Sequence, residues 1–182
     1  MTGRAPLHHV LFYGPPASGK FTVGKVFADR YGMRLVENHL TSDVASRVFE
    51  RGTEEFGELV RALRLTILEA ALGAHQSVVT TTAFVEVDRR FVDEVARVTD
   101  RLGARLSRVQ LCPPLHVLER RVAGDERTMY DKIRDAESLR AYLAAHDPYA
   151  KIHADDLAID NSALTPEEVA RNVARHIGLA AE

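Results

Sequence analysis

Apolar positions along this chain alternate between short unbroken runs and stripes at helical spacing. Residues 8–14, HHVLFYG, form a short β-rich run, and helix 19–31 follows, ending at Gly32. MRLVEN at 33–38 reads as a second strand. TSDVASRVFERG at 41–52 opens with a hydroxyl and an acid and closes at a glycine, which predicts a helix. A longer helix is predicted over 54–73, with Phe56, Val60, Leu63, Ile67 and Ala70 on one apolar stripe. SVVTTTAF at 77–84 is rich in β-branched residues and predicts a third strand. Helix 88–102, strand 105–112, helix 114–122, a polar stretch at 123–137, helix 137–146, strand 156–160 and helix 165–177 complete the series. The last helix begins TPEE, a hydroxyl cap followed by proline and two acids. No repeat, low-complexity tract or linker interrupts the alternation. Strands alternating with helices predict an α/β fold built on a parallel sheet covered on both faces. In such sheets, ligands bind beyond the carboxyl ends of the strands. Function is therefore expected at 14–22, 38–43, 81–88, 112–115 and 160–165.

Composition narrows the classes. At 182 residues the chain is expected to be one domain with a single core. Its 46% hydrophobic and 27% charged residues are ordinary for a globular protein. A formal net charge of −2 argues against nucleic-acid affinity driven by counterion release. The one cysteine, Cys112, excludes an intramolecular disulfide and a cysteine-cluster metal site, and its place at the end of an apolar run predicts a buried, inert thiol. No apolar stretch approaches the roughly 18 residues of a membrane span. The N-terminal run is too short for a secretory signal. A cytoplasmic monomer or homodimer without membrane or nucleic-acid partners is expected.

The chemistry concentrates in GPPASGKFT, residues 14–22. Successive backbone N–H groups leading into a helix N-terminus bind phosphate through oriented donors and the helix dipole. Gly14 permits the turn and Gly19 a close backbone approach. Pro15 and Pro16 donate nothing, so the donors come from Ala17, Ser18, Gly19, Lys20, Phe21 and Thr22. Lys20 would reach the β- and γ-phosphates as a point charge. The pattern lacks a hydroxyl directly after the lysine, where Phe21 stands; Thr22 supplies one a residue later.

GPPASGKFT resembles the adenylate kinase type of phosphate loop, in which a glycine and then a threonine follow the lysine. The likeness extends through FADRYGMRLV. As a whole the chain resembles small P-loop kinases of the nucleotide-kinase, shikimate-kinase and antibiotic-phosphotransferase grouping, with which an AAA-type classification is compatible. The resemblance implies a three-layer P-loop NTPase fold with sheet order 2-3-1-4-5, helices on both faces and an arginine-bearing lid at about 120–137. It implies ATP and Mg2+ as well. Thr22 would bind a phosphate oxygen and reach the metal indirectly, through water, since magnesium commonly keeps several waters.

ENHLTSD, 37–43, lies where a second substrate would bind, in place of the STGD of adenylate kinases. Transfer to a hydroxyl needs a positioned acceptor and often a carboxylate for its proton. Glu37, Asn38, His39 and Asp43 are the candidates, with Asp43 divided between a general base and a helix cap. Arg47 and Arg64 on the flanking helices would grip an anionic acceptor. No acid follows the third strand at once, and Thr80 to Thr82 are either plain strand residues or anchors for metal-bound water or substrate. LERRVAGDERTMYDKIRD, 118–135, resembles the lid, in which Arg120, Arg121 and Arg127 would cover the nucleotide and neutralise transferred charge. Asn161, with Ser162, would wall the base. The expected function is an ATP-dependent phosphotransferase acting on a hydroxyl or phosphate of a small molecule. The alternatives are a nucleotide-binding switch or sensor and a nucleic-acid end kinase, the last disfavoured by charge.

Overall fold

All six residues of β1 (His8–Tyr13) are buried, as a strand covered on both faces requires. β1 pairs in parallel with β3 (Val78–Thr82) on one side and β4 (Arg105–Leu111) on the other. β2 (Arg34–Val36) and β5 (Leu157–Ile159) add the flanks, giving the order β2-β3-β1-β4-β5 that the resemblance implies. The computed structural model describes residues 6–83, 89–123, 133 and 135–179.

α1 (Lys20–Arg30) and α7 (Pro166–Ile177) cover one face, where Phe12, Phe27, Val79, Val109 and Val173 share a core. α3 (Glu54–Gly73) and α4 (Arg89–Arg101) cover the other through Leu68, Leu72, Val78 and Val95. Arg61 clamps these two helices together by donating to both carboxylate oxygens of Glu94 at 3.0 and 2.9 Å. α5 (Leu115–Val122) and α6 (Ala136–Ala145) pack on each other through Leu118, Val122 and Leu139, with Ala17 of the glycine-rich loop against them.

Two predicted elements differ. The helix expected at 41–52 is α2 (Asn38–Ala45), which starts three residues earlier and ends sooner. Thr41 and Ser42 do not cap it; their hydroxyls donate back to the Asn38 carbonyl from inside the first turns. The cap position belongs to Glu37, in extended conformation, so the reading of Asp43 as a helix cap is wrong. The stripe predicted on 54–73 is also rotated. Val60, Leu68 and Leu72 are the buried positions, while Ala70 is exposed, because the helix turns its inward face toward both β3 and α4.

The segment 146–156, whose histidines carried no expectation, latches onto the sheet. Tyr13 donates to Asp156 at 2.8 Å and accepts from the Ile152 N–H, while Arg108 and the His153 N–H also donate to Asp156. Burial and the Asp156 carboxylate hold the Tyr13 phenol far above its ordinary pKa. Cys112 is half-buried rather than fully buried. Partial burial, helped by Asp160, still raises its thiol pKa, which keeps it unreactive.

Candidate active site

The loop after β1 is held in a conformation that few residues adopt. Gly14 has φ 136°, and a Cβ there would sit 2.2 Å from the Leu111 carbonyl oxygen. Ala17 (φ 63°) and Gly19 (φ 91°) are both left-handed. α1 then starts with no capping side chain and no acid in its first turn. α3 and α7, by contrast, are capped by Thr53 and Thr165. The first-turn amides of α1 and the positive end of its dipole are thus directed at the loop. Lys20 folds over this loop, donating to the carbonyls of Gly14 at 2.9 Å and Pro15 at 2.7 Å, and to the Ser18 hydroxyl at 3.3 Å. Phe21 is half-buried and Thr22 is exposed.

Arg121 and Asn161 support the loop from behind. Arg121 donates to the carbonyls of Ser18 (3.3 Å) and Asn161 (2.9 Å), and the Asn161 amide donates to the Ser18 carbonyl at 2.9 Å. Burial, with Arg120 nearby, lowers the Arg121 pKa. Asn161 is buried with its side chain turned to the loop. Arg120 and Ser162 are exposed, and Arg127 lies outside the described residues.

Across the carboxyl end of the sheet, a cavity of about 30 Å³ opens between β1, β3, α3 and α4. Its walls include Glu37, Asn38, Arg64, Thr80, Phe91 and His9. Arg64 donates to Thr41 at 3.1 Å and to the Asn38 side chain, and its guanidinium stands 5.6 Å from the Phe91 ring centre. The Asn38 N–H donates to the Thr81 hydroxyl, which ties the start of α2 to β3. Thr81 is therefore a tether. Glu37 is 8% exposed.

Three of the predicted acceptor-side residues, Glu37, Asn38 and Arg64, thus meet in one cavity. The others stand apart from it. Asp43 is 42% exposed along its side chain and paired with Arg51 at 3.0 Å. Arg47 is exposed on the turn after α2, and His39 is half-buried outside the cavity lining. His9 and Phe91 were not singled out from sequence. Two histidines opening a buried central strand were the available signal for the first; nothing local marks the second.

Among the described residues no three His, Cys, Asp or Glu side chains cluster as a metal cage. The donor set, a threonine hydroxyl at an uncapped helix start, suits a magnesium ion held mainly by phosphates and water. No helix among the described residues is long and apolar enough to cross a membrane.

The AAA domain family model matches residues 10–149. No curated protein matches the sequence. A sugar kinase from Janibacter sp. HTCC2649 superposes with a TM-score of 0.65 at 21% identity, covering 96% of each chain. The tunicamycin resistance protein of Deinococcus radiodurans gives 0.68 at 16% identity, over 96% of this chain and 97% of that one. The APS kinase of Mycobacterium tuberculosis, solved with AMPPNP and APS, gives 0.66 at 17% identity, over 96% and 99%. At these identities the likeness establishes a shared fold, that of the P-loop kinases.

Proposed function

The chain belongs to the AAA domain family, and from that premise we propose that it is an ATP-dependent phosphotransferase acting on a hydroxyl or phosphate of a small molecule. The observation that carries the reading is the loop at 14–22 with Lys20 folded over it and its uncapped helix start; a cavity lined by a buried carboxylate and an arginine, Glu37 and Arg64, supports it. The names of the structural neighbours, a sugar kinase and an APS kinase among them, support a small-molecule acceptor.

In this reading ATP with magnesium supplies the transferable phosphoryl group and offsets its charge. Lys20 exchanges its contacts with the Gly14 and Pro15 carbonyls for phosphate oxygens, and the amides of residues 19–22 cradle the same group. Thr22 touches a phosphate oxygen. Arg121 and Asn161 keep the Ser18 carbonyl turned away from the anion, so the loop presents donors rather than oxygens. On the acceptor side Arg64 pairs with an anionic group of the substrate, while Asn38 and Glu37 orient it. The acceptor oxygen attacks the γ-phosphorus, the bond to the β-phosphate bridging oxygen breaks, and the acceptor's proton passes to Glu37. Glu37 takes the role that sequence alone divided with Asp43, because Glu37 lines the cavity and Asp43 is engaged by Arg51 on the surface. Arg120 and Arg127 complete the proposed lid.

Calorimetric titration of ATP, with and without magnesium, tests the donor site. Wild type is expected to bind and Lys20→Ala to bind at least about tenfold more weakly, a loss of about 1.4 kcal/mol or more. Absence of binding by wild type would sink the reading. Acceptor-dependent ADP release is then measured over sugars, hydroxy acids and nucleosides. Binding without such release would leave a nucleotide-responsive switch.

A further inference from the structure

His9, the second residue of β1, is 0% exposed, and the direction of each hydrogen bond around it follows from chemistry. Its Nδ1 is 2.8 Å from the Thr99 hydroxyl, and its Nε2 is 2.8 Å from the Thr80 hydroxyl. Thr99 Oγ1 in turn lies 2.7 Å from the Val95 carbonyl. A carbonyl only accepts, so the single proton of Thr99 goes to Val95. Thr99 therefore accepts from His9, which puts the ring proton on Nδ1. Burial lowers the His9 pKa to about 3, so the ring is neutral and Nε2 carries a lone pair. That lone pair takes the single proton of Thr80. Thr80 is half-buried and lines the cavity beside Leu11, Glu37, Asn38, Arg64 and Phe91.

We infer that Thr80, oriented by the Thr99–His9 relay, faces the acceptor cavity with oxygen lone pairs only and makes it selective for compounds that donate a hydrogen bond there. The inference rests on the reading of this cavity as the acceptor subsite. It narrows the acceptor to a compound with a hydroxyl or amino group that donates to Thr80, besides the hydroxyl or phosphate that receives the phosphoryl group. An ether or carboxylate oxygen placed against Thr80 would meet lone pair with lone pair. A polar group left without a partner in this way is where binding sites discriminate most strongly.

The test reads the imidazole of His9 by 15N–1H long-range correlation in histidine-labelled full-length protein, with His9→Gln identifying its signals among the 8 histidines. Wild type is expected to show a protonated Nδ1 and a lone-pair Nε2, unchanged between pH 8 and pH 6. A proton on Nε2 would overturn the inference, since Thr80 would then be free to donate. Two fragments of similar size probe the cavity: 1,2-propanediol, which donates and accepts, and 1,2-dimethoxyethane, which only accepts. The diol is expected to shift the Nε2 resonance of wild type and the diether to leave it unmoved. In Thr80→Val neither fragment moves it. In Thr99→Val, where the ring proton is released to Nε2 and the Thr80 proton turns to the cavity, the diether gains the effect. Equal responses to both fragments in wild type, or none, defeat the inference. These measurements involve no phosphoryl transfer, so they can fail while ATP binding and ADP release succeed, and the reverse.

Discussion

Gly14 shows how tightly single positions in the loop are determined. A methyl group there would collide with the Leu111 carbonyl on the neighbouring strand, and its φ of 136° suits glycine alone. Gly14→Ala is expected to cost about 2–4 kcal/mol of stability in urea unfolding, since both backbones must move. Ala17 is the converse case. Its left-handed φ of 63° costs a residue with a Cβ about 1–2 kcal/mol. Ala17→Gly relieves that strain but gives the unfolded chain freedom worth about 0.4–1 kcal/mol. The Ala17 methyl also packs on α5 and α6, a contact worth up to about 0.8 kcal/mol, so the urea midpoint is expected to move little. His9 makes a pH prediction. Its folded pKa of about 3 lies below the ordinary 6.5, so the unfolded chain takes up the proton first as pH falls. The stability it supplies is complete above pH 6.5 and is lost as pH falls toward 3, at about 1.4 kcal/mol per unit. His9→Gln should flatten the stability profile between pH 6.5 and 5, leaving the smaller slope from His8, which burial and Arg105 shift in the same direction.

At the scale of elements, helix ends separate what was legible from what was not. The last helix was readable because its signals are local. Thr165 accepts from the Glu168 N–H, the Glu168 carboxylate accepts from the Thr165 N–H, and Pro166 fills the first turn. Thr165→Ala should cost about 1 kcal/mol, seen as a lower urea midpoint. α2 was misread because TSD has the composition of a cap while its hydroxyls bond inside the helix. What fixes the true start is the Asn38 N–H reaching Thr81, 43 residues away. No local pattern carries that information. The rotation of the stripe on α3 has the same origin, since its inward face depends on where α4 lies.

Across the whole molecule, the donor loop was legible because it is continuous in the chain and follows an apolar strand. The acceptor cavity was legible only in part. Glu37 and Asn38 stood out after a strand end, Arg64 on a flanking helix and Thr80 as one of two readings of its strand, but His9 and Phe91 join them only when the strands and helices are assembled. The two carboxylates of the 37–43 segment give the sharpest functional comparison. Glu37→Gln is expected to lower acceptor-dependent ADP release by two orders of magnitude or about 2.7 kcal/mol in activation energy, with ATP affinity retained. Asp43→Asn should leave turnover within about twofold, since it loses a surface pair of the kind worth 0–1 kcal/mol.

The flanking strands of the sheet have a consequence of a different kind. β2 and β5 are each three residues long, while the strands beside them run to five and seven. A long free edge is a template on which another chain can add strands and start a fibril. Here each outer border offers barely one turn of the pleat to a newcomer. The protein is therefore expected to remain dispersed when concentrated and to show no thioflavin-positive growth while folded.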